Sequence, residues 1–359
     1  MNSRVYIIAE AGVNHNGSLE RAMRLVDVAA EAGADAVKFQ TFKADKLVSR
    51  TAPKAEYQIE TTGSRESQHA MIKKLELDEA AHVALIRRCK TGSIEFLSTP
   101  FDVESLELLA RKFNLSKIKL SSGDITNAPL LLAAARTGKP VILSTGMSTL
   151  EEIETALGVL AFGYAEPSAS PALSAFEHAY GSATGQQALR DKVTLLHCTT
   201  EYPAPFADVN LRAMATLQQA FGLPAGYSDH TPGIAIPIAA VALGAVMIEK
   251  HFTLDRNLPG PDHKASLEPA ELTQMVRAIR EAESALGSAV KQPAASELKN
   301  RPVARTSLVA ARDIRKGEPF TPDNLAVKRP GDGISPIRYW EWLGKIATRD
   351  YRRDDKVQS

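Results

Sequence analysis

A (β/α)8 TIM barrel followed by a small β-rich domain is predicted by three observations in this chain of 359 residues. Short β-rich runs alternate with amphipathic segments eight times in succession, the order of a closed parallel barrel. No glycine-rich dinucleotide loop accompanies them, so a doubly wound open sheet is the weaker reading. Polar residues also gather just after the predicted strands, at the end where such barrels build their active sites.

The elements follow in order. Residues 5–9 (VYIIA) form a continuous apolar run, as a strand buried on both faces requires, and a helix is expected over about 19–32. The next strands are 36–39, 94–97, 117–120, 141–143 and 193–196, with helices over 104–112, 129–136, 150–160 and 211–221. The stretch 226–253 then reads as strand, helix and strand. A last helix over 269–286 carries Leu272, Met275, Val276, Ile279 and Leu286 at helical spacing. The barrel is thus placed at 1–286, a linker at 287–301 and the small domain at 302–359. Two insertions interrupt the rhythm. Residues 41–75, polar and rich in Lys, Glu and Thr, follow the second strand and are expected to form a lid or an acceptor-binding loop on the catalytic face. Residues 163–192 precede a strand, which puts them on the opposite face with no catalytic role.

Composition narrows the function. A hydrophobic share of 44% with 24% charged residues suits a soluble globular enzyme. The 43 basic and 42 acidic residues leave a net charge of +1, without a basic tract, so neither nucleic acid nor a membrane surface is expected as the main partner. Cys89 and Cys198 are the only cysteines, which argues against a disulfide framework. The opening MNSRVYIIAE runs straight into a strand, and no apolar run is long enough to span a bilayer, so a cytoplasmic location is expected.

The strand ends supply the chemistry. His230 and His251 stand at two successive ends, where imidazoles distant in sequence meet on one face. They are candidate metal ligands, with the adjacent Asp229 and Glu249 expected to orient them. The cation expected is divalent: Mn2+ first, because two imidazoles with oxygen ligands suit it, then Mg2+ or Co2+. Lys38 and Lys119 lie beside apolar strand residues, where an ammonium needs an anion or a lowered pKa, so phosphate binding and Schiff-base formation are both open. The hydroxyls of Ser98, Thr99, Ser122, Ser144, Thr145 and Ser228 around them favour an anion. Glu10 and Asp124 are candidates for proton transfer or for steering a water, or alternatively for pairing with the lysines.

The motifs IIAEAGVNHNG, VKFQTFK, APKAEYQ, FLSTPF, LSTGM, HCTTEYP, YSDHT, IEKHFT and PGPDH resemble the sialic acid synthases. VKRPGDGISP resembles their C-terminal antifreeze-like SAF domain, a β-clip fold. The resemblance implies a metal-dependent condensation of phosphoenolpyruvate with N-acetylmannosamine and water, giving N-acetylneuraminate and phosphate by C–O cleavage. It implies that His230 and His251 bind the metal. Lys38, Thr99, Lys119, Ser122, Ser144 and Ser228 would hold phosphoenolpyruvate, and Glu10 would lie near the reacting carbons. Tyr202 and Asp262 would contact the acceptor. Arg329 would reach the partner's barrel in a domain-swapped homodimer. Asp124 stands where some members have Glu, and Thr200 where some have Asn. Legionaminic and pseudaminic acid synthases, which use diacetamido-trideoxy sugars, share the barrel motifs, but APKAEYQ and PGPDH point to the N-acetylneuraminate branch. A Schiff-base pyruvate aldolase is the more remote alternative.

Overall fold

The structure, a computed structural model, describes residues 4–63 and 66–358, so residues 64–65 of the first insertion and the extreme termini lie outside the described residues. The chain divides into two compact units, Met1–Gly287 and Ser288–Ser359.

The first unit is a parallel barrel of eight strands: β1 (Tyr6–Gly12), β2 (Ala36–Thr41), β3 (Glu95–Pro100), β4 (Ile118–Leu120), β5 (Val141–Ser144), β6 (Val193–Cys198), β7 (Ala225–Asp229) and β8 (Met247–His251). The order around the sheet is β3-β2-β1-β8-β7-β6-β5-β4, with β3 beside β4. Side chains alternate across each strand, so residues two apart share a face. Ile8, Ala36, Leu97, Ile142, Leu196 and Met247 form one buried apolar layer inside the barrel. Gly226 belongs to the same level: a Cβ there would lie 2.4 Å from the Met247 carbonyl oxygen and 2.8 Å from Leu196 Cδ2, so no larger residue fits without displacing β8. Two residues further along the same strands stand Glu10, Lys38, Thr99, Ser144, Cys198, Glu249 and Ser228. The polar ring is therefore the next storey of the barrel interior, and its position follows from the period of two.

The outward faces carry the large cores. Ile7, Ala9, Val37, Phe39, Phe96, Tyr227 and Ile248 pack with Leu25, Leu85, Leu272 and Ile279 of the surrounding helices. Leu120, Leu143 and Leu195 pack with Leu131, Leu157 and Leu160 in a second cluster. Helix starts are fixed locally: the Ser18 hydroxyl accepts the Arg21 N–H, and Thr149 with Glu152 closes a reciprocal cap on the helix Leu150–Ala165. A helix at Glu79–Thr91 completes the second strand-and-helix unit. The first insertion contains helices Ala44–Leu47, Glu56–Thr62 and Gln68–Lys73. The second contains Leu173–Gly181 and Ala183–Lys192, which pack on Leu150–Ala165 with Phe162 and Phe176 edge to face at 5.2 Å. Among the described residues, no helix is long and apolar enough to cross a membrane.

The second unit has its own core. Two single-turn helices, Ala295–Leu298 and Arg301–Ala304, lie within and just beyond the stretch read as a linker. Then β9 (Ser307–Ala310) pairs antiparallel with β10 (Leu325–Lys328). Phe320 anchors the interior, with Trp342 at 5.6 Å and Tyr351 at 5.7 Å between ring centroids. Aromatic packing of this kind concentrates apolar area where few residues are available.

On the outward face of β7 and β8, Lys250 donates to Asp229 at 2.5 Å and to the Thr231 carbonyl, and both charged side chains are fully buried. Asp229 also accepts from the Tyr227 hydroxyl and the Thr231 N–H. Removing one partner of a buried pair leaves an uncompensated charge, a loss of roughly 3 to 5 kcal/mol. Lys250→Met is therefore expected to lower unfolding free energy by about that amount, and adding Asp229→Asn should recover part of it. Urea denaturation of the two variants checks this; a double mutant less stable than the single would refute it.

Candidate active site

The polar storey is a charge-alternating ring. Glu10 pairs with Lys38 at 2.6 Å, and Lys38 also donates to the Thr99 hydroxyl at 3.0 Å. Glu249 lies between the two lysines, 3.6 Å from Lys38 and 3.7 Å from Lys119, and accepts from Ser228 at 2.8 Å. Lys119 donates to Ser144 at 2.7 Å and to the Leu120 carbonyl at 3.2 Å. All of these side chains are buried. The expectation that Glu249 orients a histidine is therefore corrected: its parity with Met247 turns it inward, onto the lysines.

Burial pushes the Glu10 carboxyl well above the usual carboxylate range, although Lys38 opposes the shift. Burial acts on Glu249 in the same sense, but the ammonium groups of Lys119 and Lys38 outweigh it and hold that carboxyl low. Lys38 keeps its proton because two carboxylates outweigh its desolvation. For Lys119 burial prevails and its pKa falls. The ring thus combines a firm anion, a firm cation and two groups whose protons move more readily.

Above it sit the two histidines, their ring centroids 5.5 Å apart. Burial lowers both pKa values, so the imidazoles are neutral at physiological pH. His230 Nδ1 donates to the Thr199 carbonyl at 2.6 Å, which leaves Nε2 as the lone-pair nitrogen. The orienting group is thus a backbone carbonyl. Asp229 does not serve, since it faces outward to Lys250. His251 Nδ1 is buried without a hydrogen-bond partner and lies 4.0 Å from Asp262. Burial raises the Asp262 pKa to about 6. Tyr202 packs its ring at 4.2 Å from His230 and edge-on to His251 at 5.7 Å. Gly12, with φ +50°, sits where a Cβ would come within 3.3 Å of Glu10 Oε1 and 3.4 Å of His251 Cε1.

A cavity of about 290 Å³ opens over this constellation and is lined by Glu10, Lys38, Thr99, Lys119, Ser122, Ser144, Tyr202, Ser228, His230, His251 and Asp262 among others. Ser122 accepts from the Gly146 N–H and lies 3.1 Å from Cys198. Asp124 does not line the cavity: it accepts from Ser121 at 2.9 Å and Asn127 at 3.1 Å within its own turn. Arg329 belongs to the second unit, where it is exposed. Sequence reasoning missed the cavity's apolar lining by Leu47, Met71, Ile72 and Leu75, all from the insertion read as polar. Its signal was present as isolated apolar residues at helical spacing, Met71, Ile72 and Leu75, within charged surroundings.

Because the Glu249 pKa is depressed, its stabilising contribution is present above the unfolded value near pH 4.3 and is lost as pH falls toward the folded value. The stability gap between the native chain and Glu249→Gln is therefore expected to be widest above about pH 4.5 and to narrow on acidification. Urea midpoints between about pH 2.5 and 6 test this, and a gap independent of pH would contradict the depressed pKa.

Comparison with known proteins agrees with this architecture. The NeuB family matches residues 25–291 and the SAF domain matches residues 305–357. The N,N'-diacetyllegionaminic acid synthase of Campylobacter jejuni is 52% identical over 355 residues, covering 99% of each chain. The synthase of the same name from Legionella pneumophila is 46% identical over 331 residues, covering 92% of this chain and 87% of its own. Among solved structures, the N-acetylneuraminic acid (sialic acid) synthetase of Leptospira borgpetersenii superposes with a TM-score of 0.66 at 37% identity, over 83% of this chain and 90% of that one. The chain belongs to the NeuB family of synthases, with a barrel followed by a C-terminal SAF domain.

Proposed function

We propose that this enzyme condenses phosphoenolpyruvate with a diacetamido-trideoxyhexose and water, forming an N,N'-diacetyllegionaminic acid and releasing phosphate. The observation that carries the choice of acceptor is the 52% identity, end to end, to a synthase of that name. The earlier reading of APKAEYQ and PGPDH as marks of the N-acetylneuraminate branch gives way, because the similarity to a neuraminic acid synthetase is lower, at 37%. The first motif belongs to the insertion after β2, and the second bears Asp262.

Each residue has a task in this reading. Lys38, Lys119, Thr99, Ser144 and Ser228 converge on the cavity floor, where cations and hydroxyls would receive the phosphate and carboxylate of phosphoenolpyruvate and hold them in line. Carbon 3 attacks the acceptor aldehyde, positive charge develops at carbon 2, water adds there, and the phosphate leaves with its bridging oxygen. Glu10 is the acid placed to steer that water, since it lines the cavity and Asp124 does not. Tyr202 and Asp262 flank the histidines and would position the acceptor. The imidazoles fit a divalent cation: both are neutral, His230 is fixed by Thr199, and His251 presents a buried nitrogen that has no other partner. Among the described residues no group of three or more His, Cys, Asp or Glu is placed to hold a metal, so the remaining donors would be water and substrate oxygens. Such an ion, with Mn2+ the first choice and Mg2+ or Co2+ the alternatives, supplies Lewis-acid polarisation of the aldehyde. Arg329 would act from a partner's SAF domain in a homodimer.

Three outcomes are expected. Steady-state kinetics on the two acceptors should give a kcat/KM at least about ten-fold higher for 2,4-diacetamido-2,4,6-trideoxymannose than for N-acetylmannosamine; the reverse order would restore the N-acetylneuraminate assignment. His230→Ala and His251→Ala should each lose bound Mn2+, measured by equilibrium dialysis, and at least about a hundred-fold in turnover while keeping the native circular dichroism. Undiminished metal binding in both would refute the ligand assignment. Co-expressed His251→Ala and Arg329→Ala chains should recover about a quarter of native activity if the arginine acts across a dimer. A mixture as inactive as its parents would place it otherwise.

A further inference from the structure

We infer that the lid insertion and the adjacent strand ends form a specificity wall that seats the C6 methyl group of a 6-deoxy acceptor. This deepens the proposed function and rests on its assignment of a deoxy sugar as acceptor.

The wall consists of Val13, Phe42 and Leu75, which are buried together, with Leu47, Ile72 and Phe101 packed against them. All six line the catalytic cavity. Their arrangement follows from the barrel order. Val13, Phe42 and Phe101 lie just past the ends of β1, β2 and β3, which are consecutive neighbours in the sheet. Phe42 and Phe101 meet edge to face at 6.1 Å, and the Phe101 N–H is tied to the Thr41 carbonyl. Leu47, Ile72 and Leu75 come from the insertion that separates β2 from its helix at Glu79–Thr91.

The histidines that would meet the aldehyde stand on β7 and β8, on the other side of β1. Val13 follows Gly12, the residue wedged between Glu10 and His251, so the wall begins where the reacting end of the acceptor stops. An open-chain hexose with its C1 at the histidines would extend its far carbons toward β1, β2 and β3, over these six side chains. They offer no hydrogen-bonding group. Gln58, also at this side of the cavity, has its carbonyl oxygen engaged by the Ala55 N–H at 3.1 Å and by Gln68 at 3.2 Å. A C6 hydroxyl seated against these six side chains would receive no hydrogen bond from them in place of its water, whereas a methyl group would gain contact.

The test uses two probes that differ at one atom, 2-acetamido-2-deoxymannose and 2-acetamido-2,6-dideoxymannose, each with saturating phosphoenolpyruvate and the full-length protein. The native chain should favour the 6-deoxy probe in kcat/KM by about ten- to a hundred-fold, expressed mainly in KM. Ile72→Thr places a hydroxyl in the wall with the loss of one heavy atom from the side chain, and Leu47→Asn places an amide of nearly the shape of leucine there from a different helix. Either should cut that preference at least about five-fold, through a higher KM for the 6-deoxy probe with kcat nearly unchanged. A native enzyme indifferent to the C6 hydroxyl would overturn the inference, as would variants that weaken both probes equally. Failure of the proposed function reads differently: it would appear as a native enzyme that does not turn over the diacetamido-trideoxy sugar, whatever its preference within this pair.

Discussion

Two ammonium groups and two carboxylates buried in one barrel storey are the constraint on which the rest of this site depends. Desolvation would disfavour each charge alone, and the ring survives because every member has an opposite charge or a hydroxyl within reach. That requirement fixes Glu249 between Lys38 and Lys119 and sets Glu10 against Lys38. It also explains why the surrounding strands end in Ser and Thr. Small hydroxyls fill the remaining donor and acceptor positions without adding charge, as Ser228 does for Glu249 and Ser144 for Lys119. An anionic substrate entering such a ring meets cations already oriented, so little reorganisation is needed when it binds.

Much of this was legible in the sequence, because strand ends and the period of two are encoded locally. The eight strands, the convergence of Lys38, Lys119, His230 and His251, and the separate terminal domain follow from pattern alone. The errors have a common cause in facing. Asp229 and Glu249 each precede a histidine by one or two positions, and sequence proximity suggested one shared role. Parity separates them: Glu249 shares the inward face with Met247 and His251, whereas Asp229 shares the outward face with Tyr227 and pairs with Lys250. Asp124, chosen for its position after a strand, accepts from Ser121 and Asn127 within a local turn. The wall was hidden for another reason, since composition averaged over a polar insertion conceals a few apolar side chains that only tertiary packing gathers.

The second unit shows the same economy of means in a smaller volume. With few residues to bury, it packs Phe320, Trp342 and Tyr351 with Leu308, Ile314 and Leu325, and adds isolated bridges between Val309 and Lys356, Ile314 and Tyr351, and Pro319 and Ile346. Most of its backbone hydrogen bonds lie in turns and loops outside the two strands, as at Ile314, Gly317, Ala347 and Tyr351.

The apolar layer of Ile8, Ala36, Leu97, Ile142, Leu196 and Met247 beneath the ring has a kinetic consequence. Those six side chains offer water and protons no hydrogen-bonding partner, so the polar interior of the barrel faces the cavity above the ring. Reactants and products would then share one opening, above the polar ring. If the acceptor fills that opening, a water consumed in the reaction would have to enter before it or with it. Traffic through a shared opening would then impose an order on events that the chemistry of the individual steps does not require.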